Sequence, residues 1–141
     1  CYALLQLGVP EIRLVNRTPE EPHAIVRDFG GPIHTFPWAE RHDILDGVTM
    51  AVNVTSQGMD GQPALDIDLE KLPPSALAAD IIYTPLETPF LAAARMRGND
   101  TLNGLGMLLH QGIPAWKMWF DVEPTVTSEL RSLMENSILG N

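Results

Sequence analysis

The sequence predicts an α/β fold in which a parallel sheet carries helices on both faces. Short apolar runs of strand character alternate along the chain with stretches of helical periodicity, the pattern of a sheet wound by crossover helices. A second observation is local: the apolar run 12–15 stops at Asn16-Arg17 and is followed at once by a helix start, Thr18-Pro19-Glu20-Glu21. The third is size, since 141 residues with 45% apolar content can bury one substantial core.

Taken in order, the chain opens on Cys1-Tyr2-Ala3-Leu4-Leu5-Gln6-Leu7-Gly8, which reads as the end of a helix closed by a glycine just past its last turn. Strands are expected at 12–15, 33–36, 50–54 and 79–83, with a short edge at 100–102. Helices are expected at 20–29, 39–45, 88–97, 104–120 and 123–139. At the first of these, the Thr18 hydroxyl, Pro19 at the first position and a Glu21 carboxylate returning a bond form a capping box. The stretch 60–74, with three prolines and mixed charge, is loop. Thr84-Pro85 forces an extended exit from strand 79–83, and Thr88-Pro89 caps a helix that stops at Gly98. In the segment 104–120, Leu105, Leu108, Leu109, Gly112, Trp116 and Trp119 fall at helical spacing and form one apolar stripe, read as core. Pro114 inside that helix is expected to bend it. There is no repeat, no low-complexity tract and no clear second domain.

Composition excludes several classes of function. Eighteen acidic against nine basic residues give a formal charge of −9, which argues against a nucleic-acid surface, where clustered Lys and Arg hold phosphates. No stretch approaches the ~20 continuous apolar residues of a membrane helix. The single cysteine, Cys1, leaves no internal disulfide and suits a reducing compartment. His23, His34, His42 and His110 have no metal-ligand spacing with one another or with Cys1, so no metal is assigned. The adjacent pair His42-Asp43 points in different directions on a helix and is no acid–base couple, and His110 is a surface residue.

The chemistry concentrates at predicted strand ends. In a dinucleotide-binding βαβ unit the end of the second strand meets the adenine ribose, where a carboxylate bonds the 2′-hydroxyl of NAD and an arginine accommodates the 2′-phosphate of NADP. Here the carboxylate is missing and Arg17 is present, so the local reading is NADP. Capping by Thr18 and Glu21 is a second reading of the same residues, compatible with the first because a helix amino terminus is itself an anion site. The loop 53–59 follows a strand at the ligand edge of the sheet. From spacing alone it reads first as an ordinary polar turn in which Asn53 and Thr55 bond local backbone. Tyr83 ends the next strand, either at the ligand edge or as a half-buried strand residue with its hydroxyl in water. Gly104 and Gly106 bracket a helix start, where missing side chains allow a nicotinamide ring to approach the backbone.

Four motifs in order give a more specific signal. Asn16-Arg17-Thr18, Asn53-Val54-Thr55-Ser56-Gln57-Gly58-Met59, the run Asp80-Ile81-Ile82-Tyr83-Thr84-Pro85-Leu86-Glu87-Thr88-Pro89-Phe90-Leu91 and Asn103-Gly104-Leu105-Gly106-Met107-Leu108-Leu109-His110-Gln111 resemble those of the carboxy-terminal part of the shikimate dehydrogenase family. The resemblance covers essentially the whole chain. It implies a Rossmann-like domain that binds NADP and forms one wall of the site for shikimate and 3-dehydroshikimate, in a cytoplasmic enzyme that is a monomer or homodimer, with no nucleic-acid or membrane partner. Asn16, Arg17 and Thr18 then form the 2′-phosphate clasp, Thr55 and Ser56 lie beside the ribose and phosphate region, and Ile81 and Gly104 lie beside the nicotinamide. Tyr83 and Gln111 contact the substrate.

The same resemblance places the first strand, the Gly-rich phosphate loop and the catalytic lysine and aspartate upstream of residue 1, so no catalytic residue is expected within the chain. Loss of a central strand is expected to leave two unpaired edges and a poorly stable fragment without turnover. The helices of 104–139 are expected to pack toward the absent substrate domain. One departure stands out: the family's clasp usually carries a second basic residue shortly after the arginine, and here that position is Glu21, a carboxylate within a turn of the phosphate. NADP is therefore expected to be favoured over NAD by less than in members with both bases. Two alternatives are a paralogue acting also on quinate and a non-catalytic dinucleotide-binding module.

Overall fold

A computed structural model of the chain describes residues 1–140 and divides them into two compact units, one of residues 1–48 with 67–72, the other of residues 49–66 with 73 onward. The first holds α1 (Tyr2–Gln6), β1 (Ile12–Val15), α2 (Glu20–Phe29) and β2 (Ile33–Phe36). Helix α1 closes as the sequence predicts: Gly8 has φ +72° and the Val9 N–H returns to the Leu4 carbonyl at 3.3 Å. β1 and β2 pair in parallel from Ile12 with Ile33 to Val15 with Phe36, and α2 lies against β2. Ile12, Ile33, Leu45, Leu69 and Leu72 form the buried core of this unit.

Arg13 ties β1 to the segment after β2, its guanidinium donating to the carbonyls of Ile44 at 3.0 Å and Asp46 at 2.7 Å and to the Glu11 carboxylate at 3.0 Å. The helix predicted at 39–45 is instead two 3₁₀ turns, Trp38–Glu40 and Asp43–Leu45. So short a segment cannot offset helix nucleation, and it buries only Leu45. His42 and Asp43 are indeed used separately. The Asp68 N–H donates to His42 Nδ1 at 2.8 Å, while Lys71 Nζ lies 2.7 Å from Asp43 and holds that exposed carboxyl below its ordinary range.

The second unit is a three-stranded parallel sheet in the order β3 (Met50–Asn53), β4 (Leu77–Asp80), β5 (Thr101–Leu102), followed in sequence or flanked by α3 (Pro89–Met96), α4 (Leu105–Phe120) and α5 (Ser128–Leu139). α3 packs on β4 and β5 and buries Phe90, Leu91 and Ala94. In β4, Ala78 and Ala79 are both buried. Among the described residues β1 bonds only β2 and β3 only β4, so each has one edge of unpaired backbone groups.

Three expectations change in this unit. Strand β4 ends at Asp80, three residues before Tyr83, because its register is set by β3: Met50 faces Leu77 and Asn53 faces Asp80, where both strands stop. The last helix starts at Ser128 and not at residue 123, since Thr127 supplies the cap, accepting the Leu130 N–H at 3.2 Å. The apolar stripe of α4 is not core along its length. Leu105 is fully buried, whereas Trp116 and Trp119 are exposed, Trp119 by 71%. These rings pack on Phe120 instead, at centroid separations of 4.9 and 6.4 Å. α4 runs unbroken through Pro114. No helix among the described residues is long and apolar enough to cross a membrane, and none of their His, Cys, Asp and Glu side chains group as a metal site.

Candidate functional site

In the first unit the residues of interest occupy the turn from β1 into α2. Asn16 organises it: its Oδ1 accepts the Arg17 N–H at 2.9 Å and its amide donates to the Glu21 carboxylate. The predicted capping box is therefore absent. Pro19 is the N-cap residue and already has helical angles, no side chain caps the helix, and Glu21 reaches Asn16 rather than Thr18. This leaves the Arg17 guanidinium and the Thr18 hydroxyl exposed and without a partner among the described residues. The arrangement is a free, planar, five-donor cation beside a helix start, suited to an anion with several acceptor oxygens.

In the second unit the carboxyl ends of β3 and β4 carry a buried polar network. Asn53, Asp80 and Thr88 are each at most 3% exposed. Asn53 Nδ2 donates to both Asp80 oxygens at 3.2 and 3.1 Å and to the Gln57 carbonyl at 3.0 Å. Asp80 also accepts the Ile82 N–H at 3.0 Å and the Thr88 hydroxyl at 2.8 Å. On its other side Asn53 Oδ1 accepts from the Thr55 N–H at 3.0 Å and the Thr55 hydroxyl at 2.8 Å, and Thr55 Oγ1 accepts the Gln57 N–H at 3.1 Å. Thr55 thus makes the local turn contacts of the plainer reading, with Ser56 exposed next to it.

Sequence reasoning missed the centre of this network. Asp80 entered only as part of a motif, and Thr88 only as a cap. The available signal was an aspartate closing an apolar strand, a residue type that is almost never buried without partners.

Ile81 and Tyr83 lie in the turn after β4 and not on the strand, so their relation as neighbours on one strand face is corrected. Ile81 is half-buried and its N–H makes the last sheet bond, to the Asn53 carbonyl at 3.1 Å. Tyr83 is 37% exposed. The exit at Thr84-Pro85 is a cis peptide bond.

Gly104 begins α4, and the space beside its Cα is filled by the chain itself. Its N–H donates to the Ile82 carbonyl at 2.8 Å, and a Cβ there would lie 1.9 Å from the Ile81 carbonyl oxygen. On the side where a Cβ would project, this glycine therefore leaves no open space. Gln111 is exposed on α4.

No protein-family model matches the chain. A curated relative from Paramagnetospirillum magneticum, a shikimate dehydrogenase (NADP(+)), is 47% identical over 132 residues, which are 94% of this chain and 48% of that protein. The chain is homologous to the carboxy-terminal part of shikimate dehydrogenases. It spans about half the length of the curated relatives it matches. Among solved structures, shikimate 5-dehydrogenase from Thermus thermophilus in complex with NADP(H) and shikimate is 29% identical with a TM-score of 0.75, covering 99% of this chain and 49% of that one. Quinate dehydrogenase from Corynebacterium glutamicum in complex with NAD is 27% identical with a TM-score of 0.82, covering 99% and 50%. Parallel sheets with helices around them are therefore the Rossmann-like fold that the sequence predicts.

Proposed function

We propose that this chain is the NADP-binding part of a shikimate dehydrogenase, an oxidoreductase that reversibly reduces 3-dehydroshikimate to shikimate with NADPH. The observation that carries the cofactor choice is the unpartnered Arg17 guanidinium at the end of β1, supported by relatives named for NADP(+) at 47% identity. Arg17 holds the 2′-phosphate through charge-assisted hydrogen bonds, with Asn16 shaping the turn and Thr18 adding a hydroxyl. Thr55 and Ser56 line the ribose and phosphate region, Ile81 forms an apolar contact beside the nicotinamide, and the start of α4 at Gly104 lies against the same ring. Tyr83 and Gln111 contact the hydroxyl groups of the substrate; the Gln111 amide can donate and accept at once.

NADPH, when bound, supplies the hydride. The residues of this chain contribute position and the exclusion of water, and the proton is handled by a lysine and aspartate outside it. The exposed aromatic end of α4 and the exposed face of α5, Leu130 and Leu133, fit the packing of these helices toward a substrate domain. Cytoplasmic location, a monomeric or homodimeric state and the absence of nucleic-acid and membrane partners belong to the same reading; the acidic charge of −9 supports the absence of a nucleic-acid partner.

The test is steady-state kinetics of the full-length protein with shikimate and quinate, each with NADP and NAD. Shikimate with NADP is expected to be the preferred pair. In an Arg17→Ala variant the KM for NADP is expected to rise about 10- to 100-fold, the equivalent of losing roughly 1.5–3 kcal/mol from hydrogen bonds to a charged group. The KM for NAD should stay unchanged. Discrimination identical to that of the unmodified protein would show the guanidinium to be idle.

A further inference from the structure

We infer that Asp80 is a positioning residue that sets the hydrogen-bond direction of the loop 53–59, so that Thr55 faces a bound dinucleotide as an acceptor only. The partner of its hydroxyl oxygen is then a ribose hydroxyl or an amide N–H, not a phosphate oxygen. This rests on the reading above that Thr55 lies beside the cofactor.

Every link of the network admits one direction. The Leu91 N–H donates to Thr88 Oγ1 at 3.3 Å, so the Thr88 proton must go to Asp80 at 2.8 Å. Ile82 N–H can only donate, and it also ends on Asp80. One end of the Asn53 side chain faces acceptors alone, the Asp80 carboxylate and the Gln57 carbonyl, and must be its NH₂ group. Its other end faces the Thr55 N–H and must be its oxygen. Thr55 is thereby squeezed between an acceptor, Asn53 Oδ1, and a donor, the Gln57 N–H. Its single proton is committed inward, and what remains for a ligand is a lone pair. An oxygen presenting only a lone pair repels a phosphate and attracts a hydroxyl or N–H. The carboxylate fixes the inner end of this polarity: like the Gln57 carbonyl it can only accept, and so it holds the Asn53 NH₂ inward and the Asn53 oxygen toward Thr55.

Asp80→Asn keeps the shape and reverses part of the polarity: at either oxygen's place the new NH₂ meets the Asn53 NH₂, across the present 3.2 or 3.1 Å, and with it the Ile82 N–H or the Thr88 hydroxyl. In the full-length protein this variant is expected to raise the KM for NADPH at least about tenfold, the scale of a displaced positioning contact, with a smaller change in kcat. A lowered melting temperature with KM unmoved would mean a merely structural role and overturn the proposal. Independently of how that variant folds, a structure of the unmodified full-length protein with NADP is expected to place Thr55 Oγ1 within hydrogen-bond reach of a hydroxyl or amide of the cofactor. A phosphate oxygen in that place overturns the inference alone. A cofactor that does not approach Thr55 overturns both the inference and the placement of Thr55 in the site.

Discussion

Gly104→Ala is expected to destabilise the protein by about 3 kcal/mol or more, the upper range for forcing atoms into filled space. The added Cβ would sit 1.9 Å from the Ile81 carbonyl oxygen, 2.3 Å from the Ile81 carbonyl carbon and 2.9 Å from that of Ile82. These are backbone atoms, and they are held: Ile81 donates to Asn53 at 3.1 Å and the Ile82 carbonyl receives Gly104 itself at 2.8 Å. The conformation of Gly104, φ −74° and ψ −4°, is open to any residue. Backbone strain therefore plays no part, and at this N-cap position alanine is intrinsically no better than glycine. Both considerations therefore point to destabilisation. Urea unfolding of the full-length variant measures the loss, and a midpoint at or above that of the unmodified protein would refute the close approach. Because the atoms displaced belong to the turn carrying Ile81 and Tyr83, activity is expected to fall further than stability explains.

Asp80→Ala is the second large effect, expected to cost about 2–6 kcal/mol, the penalty for two buried donors left without an acceptor. The carboxylate is 3% exposed and has no ion pair among the described residues, so it is stabilised by the hydrogen bonds from Asn53, Ile82 and Thr88. Truncation strands the Ile82 N–H and the Thr88 hydroxyl in a buried place, at roughly 1–3 kcal/mol for each unsatisfied group. Thr88 also caps α3 through Leu91, so the loss spreads from the sheet to that helix. Thermal unfolding should show a drop of several degrees relative to Asp80→Asn, which keeps the shape and part of the bonding. Equal stability of the alanine variant and the unmodified protein would mean that the network is held open by solvent.

The strands 12–15 and 33–36 and the helix 20–29 were legible because their apolar periodicity and their punctuation by Asn, Pro and Gly agree, and the structure has β1, β2 and α2 at those bounds. The short edge strand and α3 were legible for the same reason. Strand β4 was read three residues late at its end because the apolar run continues through Ile81 and Ile82, and only its pairing with β3 decides where the ladder stops. Trp116 and Trp119 sit at core spacing on α4 and yet are exposed, since periodicity says which face is apolar but not whether anything covers it.

The parallel α/β character of the chain, its kinship through four ordered motifs and the presence at a strand tip of an arginine, the residue type that can accommodate a 2′-phosphate, were readable from the sequence. These are properties of residue type and short spacing, which local sterics and charge fix within a few positions. Tertiary structure alone decided that Glu21 bonds Asn16 rather than Thr18, that Asp80 gathers donors from Asn53, Ile82 and Thr88, and that Gly104 is small because a carbonyl occupies its side-chain space. The reason is geometric: hydrogen-bond partners and excluded volume are set by atoms brought together from distant parts of the chain, such as Asn53 and Asp80, 27 positions apart.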